Sequence, residues 1–182
     1  MGSLFIAEPN YNRIRKVDAV TGLISTVAGT GFYGSSVVDG TRLATETNLY
    51  NPIGVAVDSN NNLYIADAGN NRVLKLGSNQ KVSRVWNGNS VTGIALDSAD
   101  RLYIIEQQQI GSTFTFNYRV LRTDGVTDTG TNSACLVAGT SSTHTACVAN
   151  SAATQEALNG SNAIALDNAG NLYIADSGNH RV

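Results

Sequence analysis

Along this chain apolar residues come in runs of about five, separated by short polar stretches rich in Gly, Asn, Asp and Ser. "GVAVD" (54–58) and "LYIAD" (63–67) are divided by "SNNN". A tight turn, "AGNN", leads to "RVLKL" (72–76), and "GSNQ" leads to "VSRVW" (82–86). β-Branched and aromatic residues fill the runs and turn formers fill the gaps, which predicts short antiparallel strands. No segment combines helix caps with a 3.6-residue period over ten or more positions. Runs such as "LYIA" do not alternate between apolar and polar, so both faces of their sheet should be buried.

The pattern repeats. "LYIADAGNNRV" at 63–73 and "LYIADSGNHRV" at 172–182 share nine of eleven residues, and related phrases begin at Leu4 and Leu102. An Arg follows the anchoring Leu by nine residues in three copies (Arg13, Arg72, Arg181). In the third copy Arg119 follows by seventeen, because of an insertion. Asp58, Asp97 and Asp167 each precede their Leu by five residues. The anchors Leu4, Leu63, Leu102 and Leu172 stand 59, 39 and 70 residues apart, so a common unit carries loops of different length. A small four-stranded sheet buried on both faces is most simply packed between copies of itself. Radial stacking of such sheets is a β-propeller. The expected fold class is therefore all-β, one segment over 1–182 with about three four-stranded antiparallel blades.

Composition narrows the function. The net charge is −2, and the densest basic stretch is "RIRK" at 13–16, too little for a phosphate-binding face, so nucleic acid is not an expected partner. No apolar run is long enough to span a bilayer as a helix, and the opening "MGSLFIAEPN" does not read as a signal peptide.

"NPIGVAVDSNNNLYIADAGNNRVLKL" and "NAIALDNAGNLYIADSGNHRV" resemble the NHL repeat, and "VAGTG…DGTRLATETNLYNPIGVAVD" resembles the linker that often precedes it in bacterial members. The resemblance implies propeller blades, commonly in rings of six. It implies no single activity, since the family includes enzymes, sensor ectodomains and binding modules.

Recurrence separates scaffold from site, because a catalytic group is needed once and a structural one in every blade. Glu8–Arg13, Asp67–Arg72, Asp176–Arg181 and Glu106–Arg119 are expected to be cross-strand ion pairs worth about 0.2–1 kcal/mol each. On that reading Arg72→Ala lowers stability modestly and leaves ligand affinity unchanged. Asp58, Asp97 and Asp167 should accept hydrogen bonds within their own turns. "GTGFYG" at 29–34 matches G-x-G-x-x-G but opens no helix and reads as a loop. His180 replaces Asn71 and Asn12 of other copies and reads as a turn residue. Related amidating lyases and lactonases place a metal at the ring's centre, but no matching ligand set is identifiable here, and no cofactor is expected. No G-x-S-x-G nucleophile setting is present.

A local function should lie where the chain departs from its repeat. The candidate ligand-contact residues are Phe32 and Tyr33 in the 30–51 loop, Trp86, Phe114 and Phe116 in the 106–118 insertion, and His144 in the 139–160 loop. Asn159–Ser161 is a formal glycosylation sequon. Cys135 and Cys147, the only two cysteines, are expected to form a disulfide contributing about 3 kcal/mol, which implies an oxidising compartment. The expected function is a non-enzymatic recognition or scaffold module, extracytoplasmic or secreted, binding a protein or glycan through inter-strand loops. The alternative is part of a metal-dependent lyase or lactonase whose ligands lie outside this segment. Three blades leave apolar faces uncovered, so closing the ring requires self-association or further blades.

Overall fold

The computed structural model describes residues 2–110, 115–123, 134–140 and 152–182. They form an all-β fold with only short 3-10 turns between strands. Two compact units divide the chain, Met1–Asn87 and Gly88–Val182.

In the first unit, β1 (Leu4–Glu8), β2 (Arg13–Val17) and β3 (Ile24–Ala28) form one antiparallel sheet in that order. A second sheet contains the strands predicted from the repeat: β5 (Pro52–Val57), β6 (Leu63–Asp67), β7 (Arg72–Leu76) and β8 (Lys81–Asn87). A strand not expected from the sequence, β4 (Asp39–Leu43), pairs with the free edge of β8, giving the order β4-β8-β7-β6-β5. The core lies between the two sheets. Ile14, Leu49, Leu63, Ile65, Leu74 and Val82 are buried there, with Phe5 and Val55 packed against them. Every residue of β6 is buried, as a non-alternating run requires.

The second unit repeats the plan. β9 (Ser90–Leu96), β10 (Leu102–Ile110), β11 (Thr115–Thr123) and β12 (Ala134–Gly139) form a four-stranded sheet in the order β12-β11-β10-β9. β13 (Ala163–Leu166) pairs with β14 (Leu172–Ala175). Tyr103, Ile105, Val120 and Leu158 form the core of this unit, against Ile164, Leu172 and Ile174.

The repeated turns show why the phrase recurs. After β1, β6 and β14 the chain makes one 3-10 turn (Pro9–Tyr11, Ala68–Asn70, Ser177–Asn179) and then a left-handed residue: Asn12 (φ 50), Asn71 (φ 54) and His180 (φ 54). Asn tolerates this conformation better than most side chains, and His180 occupies it here, as the turn reading expects. In the third copy the turn is replaced by a longer hairpin that continues from Glu106↔Arg119 to Ile110↔Thr115, so the insertion leaves the pairing in register.

Candidate functional site

The loop after β3 is ordered by hydrogen bonds rather than by regular structure. The Thr30 N–H donates to the Thr47 carbonyl (3.2 Å) and the Gly34 N–H to the Leu49 carbonyl (3.2 Å). The Thr30 hydroxyl donates to Asn48 Oδ1 (2.7 Å), and the Asn48 N–H donates to Ser36 Oγ (2.9 Å). These bonds hold Tyr33 beside Tyr50, with ring centroids 6.0 Å apart and planes inclined by 50°.

Beneath the two tyrosines lies the Asp67–Arg72 pair. Arg72 Nε donates to Asp67 Oδ2 at 2.7 Å, and their side chains are 5% and 0% exposed. The second carboxylate oxygen accepts the Tyr50 N–H at 2.7 Å. The guanidinium also donates to the carbonyls of Ser36 (2.9 Å) and Asn48 (3.3 Å), while Asn70 Nδ2 donates to the Gly34 carbonyl (2.8 Å). The pair expected as a modest cross-strand contact is thus buried, and it ties both segments of the loop to the end of β6. The corresponding Asp176 accepts the N–H of Asn159 (2.7 Å), the Ser161 hydroxyl (2.9 Å) and Arg181 Nε (2.8 Å). Glu106 pairs with Arg119 Nε (2.8 Å), but its other oxygen is buried without a hydrogen-bond partner.

Tyr33, Tyr50, Pro9, Asn10, Asn12 and Asn51 line an open cleft of about 330 Å3 within the first unit, at the lower end of the size range of small-ligand sites. Tyr33 is 76% and Tyr50 47% exposed. The Asn51 N–H donates to Asn12 Oδ1 (3.0 Å), fixing one wall across two left-handed residues. Among the described residues, the Asn12 side-chain nitrogen, the Asn10 and Asn51 carboxamides and both phenol hydroxyls have no hydrogen-bond partner. The lining carries no charged side chain.

The family profile of the NHL repeat matches residues 49–76 and 162–182. The chain carries NHL repeats. Among solved structures, a gluconolactonase of Xanthomonas campestris aligns at 11% identity and a TM-score of 0.56, over 94% of this chain and 50% of that one. Virginiamycin B lyase of Staphylococcus aureus aligns at 12% identity and a TM-score of 0.45, over 94% of this chain and 58% of that one. The chain thus spans about half the length of these structures. Its likeness to the gluconolactonase is one of fold, and that fold is the β-propeller.

Of the expected contact residues, Phe32 and Tyr33 are exposed on the loop, with Tyr33 in the cleft. Phe116 is exposed on β11. Trp86 is a correction: it is 2% exposed within β8 and presents no ring to solvent. Phe114, His144 and Cys147 lie outside the described residues, whereas Cys135 is half-buried on β12. Among the described residues no group of three or more His, Cys, Asp or Glu side chains could hold a metal ion, and no helix is long and apolar enough to cross a membrane. The sequence reading missed Pro9, Asn10, Asn12, Tyr50 and Asn51. A signal for two of them was present, since Pro9–Asn10 stands where other NHL copies have Ala68–Gly69 and Ser177–Gly178.

The recurrent aspartates give the fold a defined acid limit. Burial pushes the Asp176 carboxyl up, but hydrogen bonds from the Asn159 N–H, Asn179, Arg181 and Ser161 outweigh it and hold the pKa at about 2. Asp58 and Asp97 are likewise lowered: burial opposes, but hydrogen bonds from Asn62 and Lys75, and from Arg101 and Ala99, prevail. Asp167 is lowered by the Asn171 side chain and backbone. All four bind protons less readily when folded, so the unfolded chain takes up more protons in acid. Their contribution is full above about pH 4 and is lost as the pH falls below it, for Asp176 through about 2. The thermal midpoint should drop steeply through that window, and Asp176→Asn should flatten the drop. A midpoint unchanged down to about pH 2 would contradict this.

Proposed function

We propose that the chain is a non-enzymatic recognition module that binds through the Tyr33–Tyr50 cleft. The observation that carries this reading is the set of neutral polar groups there without a partner among the described residues, beside two exposed rings held by a buried ion pair. Aromatic rings with a polar handle give contact area at low conformational cost. The recurrent aspartates Asp67 and Asp176 spend their oxygens on the arginine across the turn and on the backbone of the preceding loop, which fits a scaffold role. A lactonase or lyase reading draws on the shared fold alone, and a fold hosts many activities.

The test is binding of the purified chain to an array of glycans and peptides, with the recovered probe checked for chemical change. Retention that depends on Tyr33, with the probe unaltered, is the expected result. Conversion of the probe to product would replace recognition by catalysis. The module is placed outside the cytoplasm on the strength of the proposed Cys135–Cys147 disulfide. Unreduced, denatured protein should therefore resist alkylation at both thiols; modification of both would reject the pairing.

A further inference from the structure

The cleft's chemistry narrows the ligand, and this step rests on the recognition reading above. We propose that the Tyr33–Tyr50 cleft is a subsite for a neutral glycan. A pyranose ring offers two kinds of surface: an apolar face of C–H groups, and a rim of hydroxyls that each donate and accept. The cleft offers the complement of both. The Tyr33 and Tyr50 rings supply apolar area, and their inclination of 50° forms an angled platform rather than a flat slot. Asn10 and Asn51 bring whole carboxamides, and Asn12 brings a free NH2, since its oxygen already accepts the Asn51 N–H. A carboxamide presents a donor and an acceptor side by side, which suits neighbouring hydroxyls on one sugar.

Other ligand classes fit less well. An anionic ligand would meet no cation in the lining, and a metal ion would meet no carboxylate or imidazole. A protein partner anchored by a hot spot needs a desolvated apolar pocket, whereas Pro9 is the only aliphatic lining residue. The platform is also set in advance. Tyr50 is fixed by its N–H bond to Asp67, and its ring lies over Gly69, where any Cβ would stand 2.5 Å from the ring carbons. Little ordering cost remains for binding.

Affinity electrophoresis of the full chain in gels containing neutral soluble glycans (xyloglucan, galactomannan, a β-1,3-glucan), with pull-down on cellulose and chitin, tests the proposal. Polygalacturonate and a peptide array serve as the charged and protein arms. At least one neutral glycan should retard the protein, and added salt should leave the retardation unchanged. Tyr33→Ala should weaken binding about tenfold or more, Tyr33→Phe should retain most of it, and Asn10→Ala should fall between. Because Tyr33 and Asn10 are exposed, their variants should melt like the parent. Retention by the charged polymer alone, or by peptides alone, would overturn the glycan proposal, although Tyr33-dependent peptide binding would leave the recognition reading standing. Absence of any Tyr33-dependent binding would overturn both. Conversion of a retained glycan would leave its class intact and remove the non-enzymatic reading.

Discussion

Arg72→Ala should lower the unfolding free energy of the first unit by about 3–5 kcal/mol, the usual cost of stranding one partner of a buried ion pair. The same change at Arg13 should cost only about 0.2–1 kcal/mol. Both arginines occupy the same repeat position and face a carboxylate across the same turn. Burial is the difference. Arg13 and Glu8 keep 33% and 25% of their side chains in water, whereas Arg72 and Asp67 keep 5% and none. Without Arg72 the Asp67 carboxylate keeps its hydrogen bonds from Tyr50 and Asn70 but has no cation beside it among the described residues, and the carbonyls of Ser36 and Asn48 lose a charged donor. Urea titration followed by the fluorescence of Trp86, the only tryptophan, reports on this unit. Arg72→Lys should recover part of the loss, since an ammonium keeps the charge but cannot reproduce the guanidinium fork. The cleft should suffer as well: the loop bearing Tyr33 loses the Arg72 bonds to the Ser36 and Asn48 carbonyls, so glycan affinity should fall even where the protein remains folded. Equal small losses at Arg72 and Arg13, with affinity unchanged, would restore the simpler view that every such pair is a modest cross-strand contact.

That contrast shows what recurrence can and cannot reveal. A residue needed in every blade is visible as a repeat, so the strands, the aspartate turns and the Asp–Arg register could be read from the chain. Environment does not recur. Asp67 and Arg72 are enclosed by the segments around Ser36 and Asn48–Tyr50, and no periodicity reports that. β4 escaped notice for a related reason. "DGTRL" has no apolar alternation, because it binds the β8 edge through its backbone and exposes most of its side chains. The cleft was half legible. Tyr33 stood out as a departure from the repeat, but Asn12 and Asn51 lie in segments that the repeat explains as scaffold. Sorting recurrent positions into structure discards a residue that serves both purposes. Trp86 failed in the opposite direction: a lone tryptophan suggested a contact residue, but it sits in a strand and is part of the interior.

Gly29→Ala should destabilise the first unit by about 3 kcal/mol or more, although it adds one methyl group. Gly29 has φ +88, and a Cβ there would stand 2.2 Å from the Asn12 carbonyl oxygen and 2.7 Å from the Arg13 Cα. Two costs combine: a left-handed backbone, worth about 1–2 kcal/mol for an L-residue, and a backbone–backbone overlap that no side-chain rotation relieves. Gly40→Ala separates them. Gly40 has φ +84 with nothing within 4 Å of the added carbon, so it should show the conformational cost alone. The excess of Gly29 over Gly40 then measures the close approach of the β3 end to the start of β2. The second unit repeats this contact, with Gly139 at φ +83 and its Cβ position 2.4 Å from the Tyr118 carbonyl. The phrase Val-Ala-Gly-Thr therefore recurs at 27–30 and 137–140 for a steric reason, since in each sheet the outer strand ends by crossing close over its neighbour's backbone at the recurrent arginine, Arg13 or Arg119. In the first unit that crossing also launches the loop carrying Tyr33, so a shift at Gly29 should propagate to the cleft. Urea titrations of Gly29→Ala and Gly40→Ala, paired with affinity electrophoresis, check both parts. If the two variants lost the same stability and both kept full affinity, the steric account of the repeat would be wrong.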